Sequence, residues 1–521
     1  MRAFTAAGIA VALLCASSAL PAAAEPLYTS PAFTITIDSP QMHPLAISTS
    51  GIERIGEVTA VAGVVRGGAG SLGGADAFLR VDRDNGDHLW TRRFGTPSAD
   101  RATGVAVTGH RSIAVAGWTT GSIGHRANAG GQDGFLRVYR PNGTLRWSRS
   151  FGTAGDETVT DVTFMSDLIV VVGSTSGTFP GAVAAGRDDG FVATYSTTGE
   201  PAWTSQFGSD QDDVVTAAGH SPFRYAIAGT TAGTIPGGDQ ANLGGTDGFS
   251  AHLDITDGTL SLIHQFGTSA DDTAMAIEPL VTYDAIGGTT TGSFPGSTNA
   301  GGQDGYVAAL HFVGAPGWVT QFGSAGDDVV TGFVTDGSFA YAAGSTSGAL
   351  GAGPSLGGTD SFVTELDVAG DIVWTLQSGS QGDDEVTSVA TIQNSGINQY
   401  VVVSGRSGGR PFWGLQRPEW DELMQANLEA AFVVAQRWAA EHGDSFADFT
   451  IANGYLYPSF GWTLGPPVGL ADLAIDQSDA TSVRLSALSF TGTYFCIESV
   501  DGVMSRGHST VWDPSSCSGG W

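Results

Sequence analysis

Residues Gly199 to Leu253 read GEPAWTSQFGSDQDDVVTAAGHSPFRYAIAGTTAGTIPGGDQANLGGTDGFSAHL. Four short segments in this stretch, Ala202 to Phe207, Val214 to Gly219, Tyr225 to Gly229 and Gly248 to Leu253, are rich in Val, Ala, Thr and aromatic residues. Each is bounded by Gly or Asp, which predicts antiparallel strands joined by tight turns. Four strands per unit is the content of one propeller blade.

The unit recurs. Its Phe-Gly marker stands at Phe94-Gly95, Phe151-Gly152, Phe207-Gly208, Phe266-Gly267 and Phe322-Gly323, then as Ser378-Gly379, at spacings of 56 to 59 residues. The strand ending in a small residue and Gly occurs seven times, at Gly63, Gly117, Gly173, Gly229, Gly288, Gly344 and Gly405. An Asp-x-aromatic strand begins at Asp76, Asp133, Asp189, Asp247, Asp304 and Asp360, with Phe412-Trp413-Gly414 as a degenerate seventh. Phe33 to Asp38 alternates like the strand that elsewhere precedes Phe-Gly, so the first and last units are each incomplete and together make one blade. The expected fold class is therefore all-β, a seven-bladed β-propeller over residues 31–416, followed by a small C-terminal α+β domain. Six or eight blades are the alternatives. Closing the ring with strands from both chain ends removes exposed sheet edges.

Gly-Gly-x-Asp-Gly-Phe (Gly244 to Phe249), Gly-x-x-x-Trp (Gly199 to Trp203), Gln206-Phe207-Gly208 and Ile227-Ala228-Gly229-Thr230-Thr231 resemble the bacterial β-propeller repeat often labelled SBBP. That resemblance implies the fold and no single activity.

Three residue sets recur with the repeat. Trp90, Trp147, Trp203, Trp318 and Trp374 each lie four residues after a turn glycine, with Leu262 in the same slot, and are expected to pack between blades. Carboxylates follow each Phe-Gly turn at Asp100, Asp156-Glu157, Asp212-Asp213, Asp271-Asp272, Asp327-Asp328 and Asp383-Asp384. They are expected to cap turns; the alternative is that ring symmetry gathers them on one rim as oxygen ligands for calcium. The Asp of each Asp-x-aromatic strand is expected to stabilise the turn at strand entry. Asp82, Asp84 and Asp87 approach calcium-loop spacing, but Gly86 falls one place early for an EF-hand-like loop.

Composition sets bounds on function. The 52 acidic residues outnumber 22 basic ones, all arginine, for a net charge of -30, and such a surface repels nucleic acid and anionic lipid. Arg2, the apolar run Ala6 to Leu14 and Ala22-Ala23-Ala24 read as a secretory signal over residues 1–24. Leu14 before Cys15 argues against a lipoprotein signal. The mature chain contains no apolar run long enough to span a membrane, and a secreted or cell-surface location is expected.

Enzyme signatures are sparse. The 10 histidines are scattered without zinc-ligand spacing, Gly173 to Gly177 has Thr where a hydrolase elbow needs Ser, and Gly443-Asp444-Ser445 matches a hydrolase motif by letters only. Asp82 to Trp90 resembles the repeat of quinoprotein dehydrogenases, but no vicinal cysteines accompany it.

The repeat pattern ends at Arg410 to Pro418. Residues Glu419 to Glu441 follow, with Trp420, Met424, Leu428, Ala431, Ala435 and Trp438 at spacings of three and four, which predicts an amphipathic helix. Strands are expected at Ser482 to Leu488 and Thr493 to Ser499, and a disulfide between Cys496 and Cys517. Residues 419–521 resemble the globular part of a type IV pilin or pseudopilin. Together these features lead to an expected non-enzymatic binding or display protein needing no cofactor, calcium aside. Its partners would be an extracellular protein, a glycan or a pilus-like assembly. An exported propeller enzyme, quinoprotein-like or carbohydrate-active, and a purely structural envelope protein are the alternatives.

Overall fold

The computed structural model describes residues 33–36, 42–52, 56–83, 87–108, 112–124, 126–221, 224–280, 283–311, 316–335, 339–350, 355–393 and 399–416. Beyond these it describes five strands between residues 461 and 509. The expected signal sequence, the expected helix over 419–441 and Cys517 lie outside the described residues.

After a short strand β1 (Phe33–Thr36), the chain forms six consecutive four-stranded sheets. Blade 1 runs from β2 (Met42–Ile52) to β5 (His88–Phe94), blade 2 from β6 (Asp100–Thr108) to β9 (Leu145–Phe151), and blade 3 from β10 (Glu157–Met165) to β13 (Pro201–Phe207). Blade 4 runs from β14 (Asp213–Ser221) to β17 (Leu260–Phe266), blade 5 from β18 (Asp272–Pro279) to β21 (Pro316–Phe322), and blade 6 from β22 (Asp328–Thr335) to β25 (Ile372–Ser378). A seventh sheet combines β26 (Glu385–Gln393), β27 (Gln399–Ser407) and β28 (Arg410–Gln416) with β1, in the order β1-β28-β27-β26. Phe33 to Thr36 pair with Leu415 to Phe412, so the two ends of the repeat region share one blade, as the incomplete repeats require. The first strand of each blade touches that of the next, and β26 touches β2, which closes seven blades into a ring.

Aromatic rings hold neighbouring blades together. Phe94, Phe151, Phe207, Phe266 and Phe322 of the Phe-Gly markers meet Phe135, Phe191, Phe249, Tyr306 and Phe362 of the next blade edge to face, at 5.7 to 6.3 Å. Such pairs contribute about 0.5–1.5 kcal/mol each beyond their buried area. The tryptophans do pack between blades. Trp90, Trp147, Trp203 and Trp318 each donate Nε1–H to a carbonyl in the next blade's outer turn, at Pro141, Thr197, Ile255 and Val368.

Leu262 departs from expectation. It is 46 % exposed with φ at 48°, because β17 carries an extra residue opposite Ser250 to His252, and the slip turns Ile263 inward instead.

A β-bulge occurs in the first strand pair of all seven blades. The bulged residues Thr103, Thr160, Thr216 and Thr331 use it to donate across the blade boundary to Val159, Val215, Ala274 and Val386 carbonyls, at 2.6 to 2.8 Å.

The C-terminal strands β29 (Gly461–Thr463), β30 (Asp472–Ser478), β31 (Ser482–Leu488), β32 (Tyr494–Val500) and β33 (Val503–Ser509) form one sheet in chain order. The two strands read from sequence are β31 and β32, and Cys496 sits on β32 opposite Gly507.

Candidate functional site

Each blade's first strand starts at one end of the ring, where the loop from the preceding blade enters and where the long loop between second and third strands also lies. All the repeated carboxylates lie on this rim. Strand geometry then separates the two members of each pair, because adjacent residues point to opposite sides.

The second member is buried. Asp100, Glu157, Asp213, Asp272, Asp328 and Asp384 are at most 1 % exposed. Each accepts the backbone N–H of the residue four positions earlier, from Thr96, Thr153, Ser209, Thr268, Ser324 and Ser380, at 2.5 to 2.8 Å. The hydroxyls of those same residues donate to it as well. Thr119 and Thr175 at the end of the second strand donate to Asp100 and Glu157, at 2.5 and 2.7 Å. This is turn capping.

The first member is exposed and faces backwards along the ring. Asp156, Asp271, Asp327 and Asp383 accept N–H groups from Gln132, Thr246, Gln303 and Thr359 in the preceding blade's long loop, at 2.8 to 3.2 Å. Asp212 instead lies 3.3 Å from Arg187.

The Asp of each Asp-x-aromatic strand is buried too, and one oxygen accepts the N–H four residues upstream, from Leu72, Ala129, Ala185, Leu243, Ala300 and Leu356. Gln206, Gln265, Gln321 and Gln377 donate to that oxygen from the outer strand, and Arg93 does so in blade 1. The other oxygen of Asp76, Asp133, Asp247, Asp304 and Asp360 is buried without a hydrogen-bond donor among the described residues. It faces the Cα of the Phe-Gly or Ser-Gly glycine, a weak C–H donor. A Cβ on Gly95, Gly152, Gly208 or Gly267 would meet two carboxylates at once, one from its own blade and one from the next. Only glycine fits.

Burial pushes the carboxyls of Asp100, Glu157, Asp213, Asp272 and Asp328 above the usual range, partly offset by the Ser and Thr hydrogen bonds. The facing carboxylates of Asp76, Asp133, Asp189, Asp247 and Asp304 raise them further. Among the described residues no group of three or more His, Cys, Asp or Glu side chains is placed to hold a metal ion. Asp82, from the near-calcium spacing, is instead engaged by Arg80 at 2.6 Å and His88 at 2.8 Å, while Asp84 lies outside the described residues.

Two further features escaped the sequence reading. On the same rim an open groove of about 740 Å³ lies between the long loops of blades 3 and 4, lined by Ala185, Asp210, Gln211, Thr234, Pro236 and Asn242. On the innermost strands, Asp161 of β10 and Glu278 of β18 stand on either side of β14. Asp161 accepts Val162 N–H at 2.7 Å and Ala218 N–H at 3.2 Å. Burial pushes its carboxyl to about 6, and burial reinforced by Asp161 pushes Glu278 to about 8. Small residues hold the position of Asp161 in other blades, Gly104, Ala217, Ala276, Gly332 and Ser388, so only a break in the repeat would have flagged it.

No family model matches the chain. It is 27% identical over 396 residues to a protein of Caulobacter vibrioides named regulatory protein FlaEY, matching 73% of this chain. The match spans only 36% of that relative's length. Among solved structures, Raptor of Chaetomium thermophilum is similar at 9% identity and a TM-score of 0.42, over 74% of this chain and 30% of Raptor. The β-propeller domain of the Trilobed protease from Pyrococcus furiosus is similar at 12% identity and a TM-score of 0.40, over 74% and 94%. Trypanosoma rangeli sialidase is similar at 9% identity and a TM-score of 0.36, over 90% and 72%.

Proposed function

We propose that the chain is an exported, non-enzymatic binding or display protein, with the loop-bearing rim of the propeller as its recognition face and the C-terminal domain as its docking module. The observation that carries this reading is the division of labour on that rim. The repeated carboxylates cap turns and join blades, which makes the platform rigid, and the long loops share their ends, as Gly177-Thr178-Phe179-Pro180 in blade 3 and Gly233-Thr234-Ile235-Pro236 in blade 4, but differ at mid-loop, where Gly181 to Ala184 is replaced by the longer Gly237 to Leu243. A rigid scaffold carrying variable loops is the usual placement for binding residues. The partner would be an extracellular protein, a glycan or a pilus-like assembly.

Surface plasmon resonance of the secreted protein against immobilised envelope glycans and purified pilus or surface-protein fractions tests it. Asp210→Ala with Gln211→Ala, in the rim groove, is expected to weaken binding at least tenfold, whereas Asn142→Ala on the opposite rim leaves it unchanged. Equal binding by both variants, or turnover of a bound sugar, overturns the proposal.

A further inference from the structure

Blades 3 to 6 share an outer-strand glutamine that blade 2 lacks. Gln206, Gln265, Gln321 and Gln377 each accept an N–H from the long loop of their own blade, at Phe179, Ile235, Phe294 and Leu350. Blade 2 has Ser150 in that position, paired with Phe135 as Gln206 is with Phe191. Serine is too short to take the glutamine's place, and the N–H of Ile123 has no acceptor among the described residues. Beside the loop an open cleft of about 380 Å³ remains, lined by Ile123, Gly124, Arg137, Arg146 and Ser148.

Its polar lining consists of donors that lack acceptors. Arg137 stands on β8 (Asp133–Tyr139). Its Nε is buried without an acceptor, and its terminal nitrogens form no hydrogen bond or ion pair with any described residue. The Phe94 ring lies 4.4 Å from Cζ, over the face of the guanidinium, and attracts its charge without serving its N–H edge. Burial holds the pKa of Arg137 below the usual arginine range, with Tyr139 and Asp100 pulling the other way. Directly across the ladder, Ser148 Oγ is buried with no partner, as is Ser150 Oγ two residues on along the same strand face. Arg146 bonds Ser112 Oγ at 2.7 Å and has no carboxylate partner among the described residues. Half of the chain's 22 basic residues fall between Arg80 and Arg149, so this sector is basic in an acidic protein.

Blade 1 shows which group the guanidinium takes. Arg80 holds the same repeat position, since Phe78 and Phe135 pair alike with Gly63 and Gly117, and Arg80 is engaged by Asp82 at 2.6 Å. In blade 2 the residue in place of Asp82 is Tyr139, which brings no carboxylate. Blades 3 to 6 have Ala193, Ala251, Ala308 and Thr364 instead of the arginine, and the matching cleft between blades 3 and 4 is lined by Phe207, Ile235, Leu260 and Ile263. The position therefore carries an arginine with its carboxylate or no charge at all, except in blade 2. Asp133 lies four residues from Arg137, about 13 Å along the strand, too far to supply the missing charge.

We propose that this cleft binds the carboxylate of a small anionic molecule, with Arg137 meeting both oxygens and the Ser148 hydroxyl donating beside them. A single carboxylate supplies the one charge that Asp82 supplies in blade 1, whereas a phosphate dianion would bring a second towards Asp100. An acidic sugar and a simple organic acid both carry such a group. The cleft is two blade junctions away from the rim groove, and its occupancy does not depend on that groove.

Calorimetric titration of the full chain with D-glucuronate, acetate, D-glucose and inorganic phosphate tests this. Saturable binding of glucuronate or acetate at one site per chain is expected, with glucose and phosphate at least tenfold weaker. Tighter binding of glucuronate assigns the site to an acidic sugar, and binding of acetate at least as tight assigns it to a simple acid. Arg137→Gln is expected to weaken binding at least tenfold, while Arg140→Gln, at an exposed site on the opposite rim, leaves it unchanged. Ser148→Asp places a carboxylate directly across from Arg137 and is expected to abolish binding while holding or raising the melting temperature; Ser148→Asn is expected to keep binding within threefold. The proposal is overturned if no carboxylate binds saturably, if phosphate binds as tightly, or if Arg137→Gln or Ser148→Asp leaves the affinity unmoved.

Discussion

Thr34 and Gly414 are direct partners across the β1–β28 ladder, although 380 residues separate them in the chain. Directly opposed residues in an antiparallel pair have Cα atoms about 4.5–5.5 Å apart, within reach of a disulfide. Thr34→Cys with Gly414→Cys is therefore expected to oxidise spontaneously and to raise stability by about 2–4 kcal/mol. Non-reducing electrophoresis after a single proteolytic nick in a rim loop reads the bond directly. Fragments that separate without reductant would mean that the ring does not close through these strands.

Gly208 is held between Asp213 Oδ2 and Asp189 Oδ1, which would lie 2.6 Å and 2.9 Å from an added Cβ. Both carboxylates are buried and engaged in hydrogen bonds, so neither moves cheaply. Gly208→Ala is expected to cost about 1–3 kcal/mol, the range for overpacking a filled interior. Gly74→Ala, with nothing within 4 Å of the new methyl, is the matched control and should stay within about 0.5 kcal/mol. Denaturant midpoints for the two variants decide the point.

This glycine also shows what made the fold readable. Phe-Gly and Asp-x-aromatic recur at nearly fixed spacing because the glycine, the ring and the carboxylate are each fixed by contact with the neighbouring blade, and any drift would break a junction. The closure of the ring was legible for the same reason, since Phe33 to Asp38 and Phe412 carry fragments of the markers. The separate fates of the paired carboxylates were not legible. Asp327 and Asp328 look alike as letters, and only the position of the preceding blade shows that one is exposed to its loop and the other buried under its own turn. The bulge threonines were missed because a Thr in a Val-rich strand is ordinary until the carbonyl it reaches, about 56 residues away, is in view. Leu262 was misread because a one-residue bulge reverses the facing of a strand. Asp161 and Glu278 follow no repeat, so self-comparison passed over them.

Glu278 gives stability a pH dependence of definite sign. Its carboxyl is pushed from 4.5 in the free state to about 8 in the fold, first by burial and then by Asp161. Between those values the folded chain holds a proton that the unfolded chain releases, so stability contributed here falls as pH rises. Asp161, pushed to about 6, acts in the same direction over the lower part of the window. Glu278→Gln is expected to flatten the slope between pH 5 and 8.5 and to stabilise the protein most at the alkaline end. Urea midpoints at several pH values measure this; an unchanged slope would show that the carboxyl is fully hydrated.

Asp327 and Asp328 allow the two readings of the acidic rim to be separated. Asp328 is fully buried and already accepts the Ser324 N–H at 2.5 Å and hydroxyl at 2.9 Å. Asp327 is exposed and accepts the Gln303 N–H at 3.1 Å. Calcium takes six to eight oxygens, and a pair whose members face different directions brings few of them to one point. Calcium is therefore expected to shift the melting temperature only as much as sodium at equal ionic strength, with no saturation. The substitutions should also differ. Asp327→Asn leaves a side-chain oxygen for Gln303 and should cost less than about 0.5 kcal/mol, the usual limit at a surface site. Asp328→Asn places an NH2 group in a pocket built from donors, and an unsatisfied buried polar group costs about 1–3 kcal/mol. If calcium instead raises the melting temperature to a plateau, and Asp327→Asn abolishes that rise while leaving stability in sodium unchanged, the carboxylates are ligands and capping is only part of their role.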